Sequence, residues 1–332
     1  MRHVMRIVML PFLGMLVALP LHAQDVAKPE GTVQGMNYHR ALSIYLDQGA
    51  NLAGRLQHLL AENQVNEQLA TEYDRAMEVH VKLAENNVAD INSVLTTAEK
   101  SQAQQYLTEI DRRLNDLSDS LTVLQQQLQA SSMDKPRLVQ LAGNLRAEFN
   151  AAENIDHKQI QIVRGIYKNK ETEEVEPVAE QTEISPVNGV DYHHALSAHL
   201  NDGAAIADAL HDMVGSDDYS SRVASDYYQA LKVHTELAQS DLRHIDTLLT
   251  PADREKVSPY MTTIKDQLQD ITDSLAVLKQ DLSASPLPKQ RLETLAADMQ
   301  TEFAASQGQN HMQIMKIRGI MTKMGEGGPR TE

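Results

Sequence analysis

The sequence predicts an all-α protein built from two tandem up-down-up-down four-helix bundles related by a gapless internal repeat. Three observations carry that expectation. Apolar residues recur at three- and four-residue spacing over long stretches, with no competing strand-like alternation. A shift of 154 positions lays Gly35 to Lys170 onto Gly189 to Met324 without a gap, with about 50 of 136 positions identical. Helix-start signals also recur at matched places, so every helix and loop is expected to keep its length between copies.

Each copy reads as four helices. The first starts near Asn37 (Asp191 in the second copy) and carries Leu42, Leu46, Gly49, Ala53, Leu56 and Leu60 on one face. The second runs from about Asn66 with Leu69, Tyr73, Ala76, His80, Leu83, Ile91 and Leu95. The third opens on Thr96-x-x-Glu99, a capping box in which each side chain satisfies the other's backbone N–H. In the second copy Thr250 is followed by Pro251 at the first helical position and Asp253 at the third. The fourth begins around Asp134-Lys135-Pro136 and presents Leu138, Leu141, Leu145, Phe149, Ala152, Ile160 and Val163. Short connections between long amphipathic helices favour antiparallel neighbours, hence bundles.

Outside the copies the composition changes. Arg2 and Arg6 precede an apolar run ending at Leu21-His22-Ala23, the pattern of a cleaved signal peptide over 1–23. A flexible arm is expected over 24–34, the first bundle over 35–168, and an acidic linker over 169–188 with Glu171, Glu173, Glu174, Glu176, Glu180 and Glu183. The second bundle is expected over 189–324 and a flexible tail over 325–332. These features point to a periplasmic or secreted protein with no membrane span once the signal is removed.

The formal charge is −16, two units more negative without Arg2 and Arg6. Such acidity argues against nucleic acid as a partner and suits a metal ion or another protein. With no cysteine in the chain there is no disulfide, thiolate metal site or Cys nucleophile. No Cys-x-x-Cys-His, His-Glu-x-x-His or Glu-x-x-His pattern is present, so attached haem and the di-iron bundle pattern are not indicated.

Two groups of polar residues stand out against this background. His80 (His234) falls in the middle of an apolar stripe, and His157 (His311) lies at a comparable depth on the fourth helix with Glu148 (Glu302) on its flank. Two imidazoles and a carboxylate from facing helices suit Zn²⁺ or Cu²⁺. The alternative is a buried histidine held by an inward tyrosine: Tyr38 or Tyr106 in the first copy, Tyr192 or Tyr260 in the second. At one bundle end His39, Lys100 and Arg164 (His193, Arg254 and Arg318) come together, where helix N-termini could hold a small anion. Arg164 could equally complement the C-terminus of its own helix.

No Ser/His/Asp set and no paired inward carboxylates are visible, so the pattern leans away from an enzyme. The expected function is a non-enzymatic extracytoplasmic binding or scaffold protein with two equivalent bundles. Its first alternative is histidine-based Zn²⁺ or Cu²⁺ binding or buffering, and its second is small-anion binding.

Overall fold

The computed structural model describes residues 35–62, 64–130, 132–163, 189–217 and 219–318, with the backbone alone at 162 and 163. The expected signal peptide, arm, linker and tail lie outside the described residues, as does Arg164. Among the described residues there are eight α-helices and no strand: α1 (Met36–Ala61), α2 (Glu67–Val94), α3 (Thr97–Leu128), α4 (Lys135–Val163), α5 (Val190–Gly215), α6 (Ser221–Leu248), α7 (Pro251–Leu282) and α8 (Lys289–Ile317). None is long and apolar enough to cross a membrane.

Local chemistry sets the helix starts. Thr96 caps α3 through its side chain while Glu99 returns a carboxylate to the Thr96 N–H at 2.8 Å, the full capping box. Asn66 and Ser220 cap α2 and α6 through their side-chain oxygens. The first helix departs from expectation. It begins at Met36, ahead of Asn37, behind Gly35 with φ +74°; α5 likewise follows Gly189 at φ +75°. Only glycine adopts that left-handed backbone without cost, and a Cβ on Gly35 would meet Val94 at 2.7 Å.

The packing is bundle-like. α1 lies against α2 and α4, and α3 closes against α2 and α4; α5, α6, α7 and α8 pack on one another in the same order. α3 buries a single narrow stripe, Ala103, Leu107, Ile110, Leu114, Leu117, Leu121 and Leu124. Close approach of α1 to α4 depends on Gly49. A Cβ there would lie 2.3 Å from the ring of Phe149, and at Gly203 on α5 it would lie 2.5 Å from Phe303.

The helices α1, α2, α5 and α6 bury a second face, because α1 and α2 also meet α5 and α6. The contacts along this seam come in pairs whose members are 154 positions apart. Ser220 Oγ donates to the Tyr38 hydroxyl at 3.0 Å, and the Tyr192 hydroxyl donates to Asn66 Oδ1 at 3.2 Å, so each tyrosine reaches the N-cap of a helix in the other set. Gln68 meets His244 at 2.6 Å, and Arg222 meets Asp90 at 2.8 Å. Exposed ion pairs close the rim, Arg40 to Asp212 at 2.7 Å and Arg75 to Glu236 at 3.0 Å.

Burial also leaves carboxyls in unusual states. Asp74 is buried on α2, and desolvation, reinforced by Glu78, pushes its carboxyl up to about 7. In the unfolded chain the same group ionises near about 4. The folded protein therefore holds a proton that the unfolded chain has released. The stability this gives is present at low pH and is lost as pH rises from about 4 through about 7. Asp74→Asn, neutral at every pH, should make the melting temperature fall less between about pH 5.5 and 8 than it does in the parent. Thermal melts of both proteins across that range check this; parallel profiles would remove Asp74 as a contributor.

Candidate metal centre

The seam contains a row of three imidazoles. His80 on α2, His199 on α5 and His234 on α6 are all buried. His234 sits in the middle, with Nε2 at 3.2 Å from His80 Nε2 and Nδ1 at 3.3 Å from His199 Nδ1. Tyr45 packs on His80 with ring centroids 5.8 Å apart, and Tyr73 lies 6.2 Å from His199. Asp202, one helical turn beyond His199 on α5, brings Oδ2 to 4.0 Å from His234 Nδ1. Residues three apart share a helix face, so α5 offers His199 and Asp202 together.

His199, Asp202 and His234 each present a ligand atom, and these atoms all lie within 4.8 Å of one another. This buried group could hold a metal ion. The separation of the two Nδ1 atoms matches a coordination edge. Two imidazoles at a Zn–N distance of about 2.0–2.1 Å and a tetrahedral angle stand about 3.3–3.4 Å apart. The carboxylate oxygen is farther away, 4.0 Å from His234 Nδ1, and would have to move in by well over half an ångström to complete the site.

The far nitrogen of His234 has a partner, whereas that of His199 is buried without a hydrogen bond. His234 turns Nε2 to His80, while His199 places Nε2 at 3.8 Å from Asp241. Metal-bound histidines characteristically donate their second N–H to such groups, which fixes the tautomer. Glu72 stands beside Asp241 from α2.

The electrostatics suit neutral nitrogen ligands. Burial drives the His80 and His199 imidazoles down to about 3, and His234 well below its usual value. All three are therefore uncharged at neutral pH, with lone pairs available. Burial pushes Asp202 up to about 7, against the lowering pull of Arg55, and holds Asp241 well above the carboxylate range with help from Glu72. A carboxyl raised in this way lacks a sufficient counter-charge, which a divalent ion would provide. A row of hydrogen-bonded neutral imidazoles also accounts for the short N···N contacts. In that row Asp202 is a half-buried carboxyl under the pull of Arg55.

The residues singled out in the sequence take varied places. His80 and His234 come together across the seam. His157 does not join them: it is exposed on α4, 3.2 Å from Ser43 and 4.0 Å from Glu153. Glu148 pairs with Arg113 at 2.7 Å, His311 is exposed and Glu302 is half-buried on α8. Tyr38 and Tyr192 hydrogen-bond helix caps rather than histidines, and Tyr106 and Tyr260 are half-buried.

The residues considered for an anion have separate engagements. His39 is buried, its Nδ1–H 2.6 Å from Asp156, and His193 Nδ1 is 2.7 Å from Asn310. Arg254 binds the carboxylate and carbonyl of Asp246, Lys100 is half-buried, and Arg318 forms the C-cap of α8.

His199, Asp202 and Asp241 were missed as site residues. A usable signal existed in the expected repeat: the positions 154 before them hold the neutral residues Tyr45, Gln48 and Asn87. No family model, curated protein or solved structure matches this chain.

Proposed function

We propose that this protein is an exported, non-enzymatic metal-binding protein that holds one Zn²⁺ or Cu²⁺ ion between two tandem four-helix copies. The observation that carries it is the convergence of His199, Asp202 and His234 between the helices, with the far nitrogen of His234 held by His80. Two nitrogens and one carboxylate oxygen suit borderline ions better than Mg²⁺ or Ca²⁺, which take oxygen ligands. Capture and retention fit a largely buried centre better than turnover, because a substrate would need an open path to the ion. The two copies are docked through α1, α2, α5 and α6, and the seam contacts repeated 154 positions apart support an approximate two-fold relation. That docking favours metal binding over a bivalent scaffold, since the equivalent faces are turned towards each other. The signal-peptide pattern and acidic charge accord with an extracytoplasmic role.

The two copies are unequal at this point. Tyr45 and Gln48 stand where the second copy has His199 and Asp202, so one ion per chain is expected rather than two. The purified chain, equilibrated with Zn²⁺ or Cu²⁺ and exhaustively dialysed, should retain about one equivalent by elemental analysis. Co²⁺ should give the intense visible bands of a low-symmetry site. Retention of no metal would remove the proposal, and retention of two equivalents would place ions elsewhere.

A further inference from the structure

The three ligand residues lie on α5 and α6, yet the groups that position them come from the opposite set of helices. His80 of α2 faces the far nitrogen of His234 at 3.2 Å. Gln48 of α1 donates its amide N–H to the backbone carbonyl of Asp202 at 3.1 Å, and its own Oε1 is buried with no hydrogen-bond partner. Arg55 of α1 donates to the carbonyl of His194, five residues before His199 on α5. Glu72 of α2 stands against Asp241 of α6, whose carboxylate is 3.8 Å from His199 Nε2.

Resting on the metal-binding proposal above, we infer that His80 is a positioning residue for the ion and that metal occupancy clamps the two halves together across the seam. When an ion takes the lone pair on His234 Nδ1, the ring proton must sit on Nε2, where His80 Nε2 accepts it. Separating the halves would remove that acceptor and the hold of Gln48 on α5, leaving the ligands less well oriented. The ion thus binds the docked arrangement better than the separated one, and linkage requires that it favour docking by the same factor. The seam suits such a device. Its centre is polar, and its rim is made of exposed ion pairs such as Arg40–Asp212, each of which contributes little on its own.

Chelator-competition titrations with Zn²⁺ test this on the full chain. His80→Phe keeps the ring volume but removes the acceptor, and His80→Gln restores a side-chain oxygen able to accept. Removal of an outer partner typically weakens a metal site by about 10–100-fold. His80→Phe should show that loss and His80→Gln should recover most of it. Arg40→Glu faces Asp208 and Asp212 across the seam and touches none of the ligands. It should still weaken Zn²⁺ binding by about 5-fold or more, the lower end of ordinary coupling between sites. Circular dichroism verifies that each variant is folded; should His80→Phe not fold, His80→Gln and Arg40→Glu carry the comparison. Parent-like affinity in His80→Phe, or in Arg40→Glu, would overturn the inference while leaving the metal site intact. A parent chain that binds no Zn²⁺ would instead remove the metal proposal itself.

Discussion

His234→Ala should lower the affinity for Zn²⁺ by at least about 100-fold, a larger loss than removal of an outer partner produces. His234 is the middle imidazole of the row, so its loss removes a ligand from the ion and the link between His80 and His199 together. The remaining pair, His199 and Asp202, lies on one face of α5 and can supply only two donors. Mature histidine sites for Zn²⁺ use three protein ligands or more. The same substitution bears on stability with no metal present. Removal of a buried ring leaves a void, and the partners it leaves behind lose their hydrogen bonds. Chelator competition on the folded variant separates the two effects, and unchanged Zn²⁺ affinity would show that the ion binds elsewhere. His157→Ala serves as the contrast: that ring is exposed and away from the seam, and its loss should leave Zn²⁺ affinity within about 2-fold of the parent.

Phe149→Ala should be strongly destabilising, at about 3–5 kcal/mol. Phe149 is fully buried and lies over Gly49, where the absence of a side chain lets α1 and α4 approach. Truncation empties the volume that this glycine accommodates. Neither helix can close the gap easily, since both are anchored along their length by leucines. With about 2–4 °C lost per kcal/mol in a chain of this size, the melting temperature should fall by roughly 6–20 °C. The reverse error is informative as well. Gly49→Ala gains about 1 kcal/mol of helix propensity, but its Cβ would lie only 2.3 Å from the Phe149 ring. A net loss is therefore expected, and thermal melts of both variants report it. A stabilised Gly49→Ala protein would mean that the two helices separate without cost.

The helices were legible because their determinants are local. The Thr96 and Glu99 capping box, the Asn66 cap and the periodic leucines of α3 each act within one or two turns. Gly35 shows the limit of that legibility. Asn37 is a good cap by type, yet the helix starts ahead of it because a left-handed glycine sets the entry of the chain against Val94. His80 was recognisable as an inward imidazole from its place among Tyr73, Ala76 and Leu83. Its partner was not, since hydrophobic periodicity says which face is buried and nothing about what covers it. His157 illustrates the same gap. It sits at the edge of an apolar stripe, and only the packing of α4 against α1 decides that the ring stays in solvent beside Ser43 and Glu153.

By itself the sequence determined that the chain is helical and where most of the helices start. Those properties follow from backbone propensity, capping and burial, which operate over a few residues. Tertiary structure alone decided that α1 and α2 turn their second faces towards α5 and α6, burying Gln48, His80, His199, His234 and Asp241 in one place. The physical reason is that residues far apart in the chain meet only when whole helix faces dock. A polar residue on such a face has the same spacing as one exposed to water, and its chemistry is set by what is packed against it.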